Sequence, residues 1–140
     1  MTNVNGINSV YSMFDTGLGA IMISGAYFDD LVSHIFRYVG DDQYEVYEGF
    51  IFSKCYSNFP DLYFMFDEKW IKVEASEYVF DVSTADDGSN CLVLIIGLDL
   101  PYNVFGTPIF QGYYTVHDQD GNGDARLGYV PNNISGKPPL

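Results

Sequence analysis

Phe28, Leu31, Val32, Ile35, Phe36 and Val39 recur at three- and four-residue steps, so they share one face of a helix and predict that element over Ala26 to Val39. Ser24 or Gly25 can open it, Asp29 and Asp30 fall towards its positive N-terminal end, and Gly40 stops it. His34 and Arg37 fall towards the other end, which favours positive charge, so His34 is read as a helix-face residue and not a catalytic one. Almost everything else reads as strand. Val10 to Phe14, Ala20 to Ile23, Gln43 to Phe52, Leu62 to Phe66, Trp70 to Phe80 and Leu92 to Ile96 are rich in β-branched and aromatic residues. Asp67-Glu68-Lys69 has the look of a hairpin turn, and Phe110 to His117 with Arg126 to Val130 form a second hairpin around the Asp118 to Asp124 loop. Many short strands, one clear helix and Gly-rich turns predict a mainly β sandwich or barrel.

The 140 residues suit one domain with a real core; residues 1–131 form that domain and 132–140, rich in Pro and Asn, a flexible tail. Hydrophobic residues at 47% and aromatics at 17% exclude a disordered acidic tail despite a formal charge of -13. Nineteen acidic side chains against six basic ones speak against nucleic acid and against anionic membrane surfaces, both of which need clustered Lys and Arg. The longest apolar runs, such as Cys91 to Leu98, are too short to span a bilayer. Nothing before Tyr11 has the basic start and apolar run of a signal peptide.

Cys55 and Cys91 allow one bridge or two buried reduced thiols, and residue spacing alone leaves both open. Two thiols alone do not fill a tetrahedral zinc site, and no His lies close to either in sequence, so no metal site is expected. A bridge would close a loop of 36 residue steps, worth roughly 3 to 4 kcal/mol in the chain-entropy model, and would imply an oxidising compartment. Asn133-Ile134-Ser135 is a glycosylation triplet, with Asn133 as the acceptor.

Two loops carry candidate chemistry. Asp118-Gln119-Asp120-Gly121-Asn122-Gly123-Asp124 has the front half of an EF-hand pattern, but the twelfth position is Tyr129 where a bidentate Glu is needed, and strands flank it. It is read as a solvated hairpin turn. Phe14-Asp15-Thr16-Gly17 puts a carboxylate on a turn directly after an apolar strand. Aspartic peptidase chemistry needs two carboxylates about 3 Å apart sharing one proton, one acting as base on water and the other as acid. Gly17 permits the tight turn that presents Asp15, and the Thr16 hydroxyl can brace it from beneath.

Read in order, the chain resembles the C-terminal lobe of a pepsin-like aspartic peptidase over roughly residues 10 to 131. Phe14-Asp15-Thr16-Gly17 is similar to the second active-site strand and turn, followed by an apolar strand and the helix. Cys55, then Phe59-Pro60-Asp61-Leu62-Tyr63-Phe64, Ser76-Glu77-Tyr78-Val79 and Cys91 match further family elements in order. Val104-Phe105-Gly106 is similar to the apolar-apolar-Gly element packed behind the active-site loop. Gln111 to Asp118 with Arg126-Leu127-Gly128-Tyr129 is similar to the closing hairpin. The resemblance implies one half of a bilobal β-barrel fold and a Cys55–Cys91 disulfide. It also implies Asp15 as a catalytic residue, a polypeptide substrate, no metal or organic cofactor, and a secreted or lysosome- or vacuole-like location.

Three departures accompany it. Leu18 follows Gly17 where the family usually has Ser or Thr, so Asp15 is expected to have one hydrogen-bond donor fewer. Thr107 follows Gly106 where the family usually has Asp or Asn. The first lobe with its own Asp-Thr-Gly and flap, and the opening strands of the second lobe, are read as missing, which should expose an apolar sheet edge. A partner must then complete the dyad: an N-terminal lobe, or a second copy about a twofold axis as in retroviral-type peptidases. The rival expectation is a non-catalytic binding or structural protein that keeps the fold.

Overall fold

The apolar stripe becomes helix α1, Gly25–Phe36, which buries Leu31, Val32, Ile35 and Phe36. The computed structural model describes residues 11–37, 39, 43–55, 58–85, 89–119, 121–123 and 125–132. Val10, Gly40, Asp120, Asp124 and the acceptor Asn133 lie outside them. Before α1 come strands β1 (Tyr11–Phe14) and β2 (Ile21–Ser24); after it come β3 (Tyr44–Tyr47) and β4 (Phe50–Ser53). Then follow β5 (Leu62–Phe66), β6 (Lys69–Val73), the single turn α2 (Ala75–Tyr78) and β7 (Val79–Asp81). The chain continues through β8 (Cys91–Val93), β9 (Ile95–Leu98), β10 (Tyr102–Phe105), the single turn α3 (Thr107–Phe110), β11 (Tyr113–Gln119) and β12 (Ala125–Pro131). The mainly β expectation is met. α1 is the one long helix among the described residues.

Two four-stranded sheets, ordered β1-β10-β2-β9 and β3-β4-β8-β7, are accompanied by two separate hairpins, β5-β6 and β11-β12. Three expected strands are divided in the structure, each for a local reason. Gln43 to Phe52 is a hairpin, because Glu48 and Gly49 both take positive φ (52° and 83°) and reverse the chain in two residues. Trp70 to Phe80 is interrupted by α2, where the Glu77 carboxylate accepts from Glu74 N at 2.7 Å and closes the first turn. Leu92 to Ile96 changes sheets at Leu94, whose N–H donates to Tyr78 O (2.7 Å) while its carbonyl accepts from Ile21 N (2.9 Å). In the last hairpin, Phe110 belongs to α3 and β11 begins at Tyr113.

The core unites both sheets with α1. Ile21, Ile23, Ile35, Ile51, Ile71, Val93 and Ile95 are fully buried, and each such side chain contributes about 1.5–3 kcal/mol of apolar transfer free energy. Phe36 stacks on Tyr44 with ring centroids 3.9 Å apart. Buried Tyr78 donates its hydroxyl to Pro60 O at 2.6 Å, and burial, with the Asp61 charge adding, raises its phenol above the ordinary range. Half-buried His34 lies on the helix as expected; burial first, then Arg37, lowers its pKa below the usual histidine value.

The β5-β6 turn consists of Asp67 and Glu68 alone, because Lys69 already pairs with Phe66. Both residues are left-handed, at φ 50° and 66°. A side chain at such φ is strained by roughly 1–2 kcal/mol, part of which glycine gives back in chain entropy. Glu68→Gly should therefore stabilise the protein by about 0.5–1 kcal/mol, read as a higher urea midpoint with unchanged m-value.

Cys55, just beyond β4, is disulfide-bonded to Cys91 at the start of β8, with Cα atoms 5.1 Å apart. The bridge that the resemblance implied is present. It closes 36 residue steps, which the chain-entropy relation converts to about 4 kcal/mol. The double substitution of Cys55 and Cys91 to Ser should lose most of that amount in equilibrium urea unfolding.

Candidate active site

The strands β1 and β2 follow one another in sequence, yet β10 runs between them in the sheet. β1 is parallel to β10, with Phe14 opposite Phe105, so the two strands end at the same level. The segment from Asp15 to Ala20 must therefore pass over the C-terminal end of β10 to reach β2. Asp15 N donates to Phe105 O (3.0 Å), Gly106 N to Ala20 O (3.0 Å) and Thr107 N to Leu18 O (2.7 Å). The Thr107 hydroxyl donates to the same Leu18 carbonyl at 2.8 Å. Thr107, a departure in sequence, thus ties the loop down through two donors.

Gly106 is the seat of this crossing. A side chain there would drive its Cβ into the Leu18 and Ala20 carbonyl oxygens. Beneath the seat, Phe105 is 1% exposed and packs edge-on against Phe64 (5.1 Å) and Phe66 (4.9 Å). Phe14 lies 5.7 Å from Phe105, so the residue before Asp15 is anchored in the same aromatic cluster. Val104, half-buried, pairs with Met13 and Met22 on its two sides.

Asp15 is exposed at the crest of the loop. Its Oδ1 accepts from Gly17 N at 2.8 Å, and its carbonyl accepts from Leu18 N at 3.2 Å. The donation from Gly17 fixes one carboxylate oxygen of this exposed side chain. Gly17 suits this contact, because a Cβ there would sit 3.2 Å from Asp15 Oδ1. Thr16 is exposed, and its hydroxyl is not among the bonds that tie the loop within the described residues. The bracing expected of it is made by backbone groups and Thr107.

Asp15, Gly17, Val104, Phe105 and Gly106 are thus brought together, whereas Cys55 and Cys91 cross-link the other sheet. Sequence reasoning passed over Asn103, which is fully buried and accepts from Ser24 N at 2.9 Å, fixing the junction of β2 and α1. A lone amide within the strand Tyr102-Asn103-Val104-Phe105 was the available signal. β1 is the end strand of its sheet as described, with Tyr11 89% and Met13 54% exposed. The expected closing hairpin is present, but Asp118 and Gln119, read as loop, pair with Arg126 and Ala125 and extend β11 by two residues.

No curated protein matches the chain. The family model described as eukaryotic aspartyl protease matches residues 2–127, a span that takes in the Asp15 loop, its seat at Gly106 and both cysteines. The β-rich, pepsin-like fold accords with that match, and the chain belongs to the eukaryotic aspartyl protease family.

Proposed function

We propose that Asp15 is one half of a two-carboxylate site that hydrolyses peptide bonds, the other Asp coming from an N-terminal peptidase lobe. The observation that carries this reading is the presentation of Asp15: an exposed carboxylate on a loop clamped to β10, with one oxygen held by Gly17 N. A carboxylate so held is pre-oriented, which is what proton transfer at a fixed distance requires. In the completed site one carboxylate takes a proton from water as that water attacks the scissile carbonyl. The protonated partner supplies the proton that neutralises the developing oxyanion; on collapse of the tetrahedral intermediate the proton taken from water passes to the leaving nitrogen, a hydroxyl proton returns to the other carboxylate, and the amine departs. Thr16, exposed beside Asp15, braces the dyad once the site is completed, and Gly17 keeps the turn tight. Val104, Phe105 and Gly106 act as structure. The substrate is a polypeptide, and the chemistry uses the two carboxylates and water. A disulfide-bearing member of this family suits a secreted or lysosome-like compartment.

Leu18, which offers no hydroxyl beside Asp15, favours a second reading: a non-catalytic binding or structural protein on the same fold. One assay separates these readings from a homodimeric peptidase. The chain, alone and refolded with an N-terminal peptidase lobe, is incubated with a denatured protein near pH 4, with and without pepstatin. The proposal expects pepstatin-sensitive cleavage only with the added lobe. Cleavage by the chain alone, with a rate rising as the square of its concentration, would establish the homodimer. No cleavage from a folded complex would establish the non-catalytic protein.

A further inference from the structure

The disulfide lies in a donor set that the peptidase reading does not use. In the sheet β3-β4-β8-β7, Cys91 is directly opposite Asp81 on one side and Ser53 on the other. Cross-strand partners of an antiparallel pair hold their side chains on the same face, about 4.5–5.5 Å apart at Cβ. Cys55 follows Ser53 by two residues, and its sulfur lies 3.8 Å from Asp81 Oδ1. One ligand atom each from Cys55, Asp81 and Cys91 falls within 4.8 Å of the others, the only such group of three among the described residues. Sequence reasoning discounted a metal because it saw two thiols alone. The third donor becomes visible only through strand register.

We propose that reduction of the disulfide turns Cys55, Cys91 and Asp81 into a site for one thiophilic divalent cation, such as Zn²⁺ or Cd²⁺. Reduction by a phosphine breaks the S–S bond. The phosphine gives two electrons and takes oxygen from water as its oxide, and the two protons go to the sulfurs. Cation binding then expels both thiol protons and forms two metal–sulfur bonds. Metal–thiolate bonds of about 2.3 Å in a tetrahedron require the sulfurs to move apart to roughly 3.7 Å. Asp81 and Cys91 are fixed by their strands, whereas Cys55 lies beyond the end of β4, free of the ladder, and supplies that movement.

The donors also select the cation. Two thiolates favour a soft ion over calcium or magnesium, and three protein ligands leave the fourth tetrahedral position to water. Disulfide sulfurs are neutral and have no proton to release, whereas the two thiols formed on reduction can each give one up to become a thiolate ligand, so the site draws its cation only in the reduced state. Asp81 is exposed, Cys55 half-buried and Cys91 buried, so the ion has an entry path from one side. The bound ion takes over the cross-link between β8 and the end of β4.

The test uses the whole chain with Cd²⁺ as probe, after phosphine reduction and anaerobic removal of the reductant. Expected are one Cd²⁺ per reduced chain, an ultraviolet thiolate-to-cadmium absorption band, no such band from the oxidised chain, and a higher thermal midpoint on Cd²⁺ addition. Asp81→Asn should weaken binding at least tenfold, whereas Asp118→Asn, at an exposed position of β11, should leave it unchanged. Equal losses in the two variants, or an Asp81→Asn chain that binds as tightly as the parent, would overturn the proposal. So would a reduced chain whose fold Cd²⁺ neither stabilises nor restores, since an unfolded dithiol has no defined place for the carboxylate.

Discussion

Gly106→Ala should destabilise the protein by about 3–5 kcal/mol, while Gly19→Ala, in the loop it supports, should change stability by no more than about 0.5 kcal/mol. The difference follows from what each new methyl group meets. At position 19 no atom lies within 4 Å. At position 106 the Cβ would overlap the carbonyl oxygens of Leu18 and Ala20 and come 2.9 Å from Leu18 C. These are backbone atoms, so no side-chain rotation can relieve the overlap. Relief requires the loop to lift from β10, which lengthens Gly106 N to Ala20 O, Thr107 N to Leu18 O and Thr107 Oγ1 to Leu18 O together. Each such bond contributes about 1 kcal/mol net, so weakening the three without abolishing them costs about 2 kcal/mol, and overpacking adds roughly 1–3. Urea unfolding of the two variants beside the parent checks the contrast. A Gly106→Ala protein as stable as the parent would mean that the loop does not sit on β10.

What could be read in advance was local. The stripe from Phe28 to Phe36 predicts α1 because helical periodicity is set by the chain's own geometry. Leu62 to Phe66 reads correctly as β5 because a two-residue turn bounds it. The Asp-Thr-Gly turn is legible for the same reason, since strand, turn and carboxylate are contiguous. The features that hold this turn in place join residues far apart. Thr107 reaches Leu18 across 89 positions, and the need for glycine at 106 exists only because β10 threads between β1 and β2. No periodicity encodes that crossing. Family resemblance puts Val104-Phe105-Gly106 behind the loop, but nothing in the sequence marks Thr107 as the residue whose two donors meet the Leu18 carbonyl. The change of sheet at Leu94 is hidden similarly: Leu92 to Ile96 is apolar throughout, with buried Val93 and Ile95 among half-buried neighbours, and Leu94's bonds to Tyr78 and Ile21 mark the break.

In the complex with an N-terminal lobe, Asp15→Asn should reduce kcat for peptide cleavage by about 10²–10⁴-fold while KM and folding stability stay close to the parent's. Asparagine has nearly the same shape, and its side-chain carbonyl can still accept from Gly17 N, as Asp15 Oδ1 does. The ties from Asp15 N to Phe105 O and from Thr107 to Leu18 O do not involve the carboxylate, so the seat persists. What is lost is the ability to take up and return a proton: an amide neither removes one from water at the moment of attack nor shares one with a second carboxylate. A group needed only as protons move lowers kcat without altering how the ground-state peptide binds, which separates a chemical role from a structural one. A fall in stability comparable with that of Gly106→Ala would assign Asp15 to the fold. Undiminished kcat in a folded complex would remove it from the dyad and, with it, the chemistry proposed for this chain.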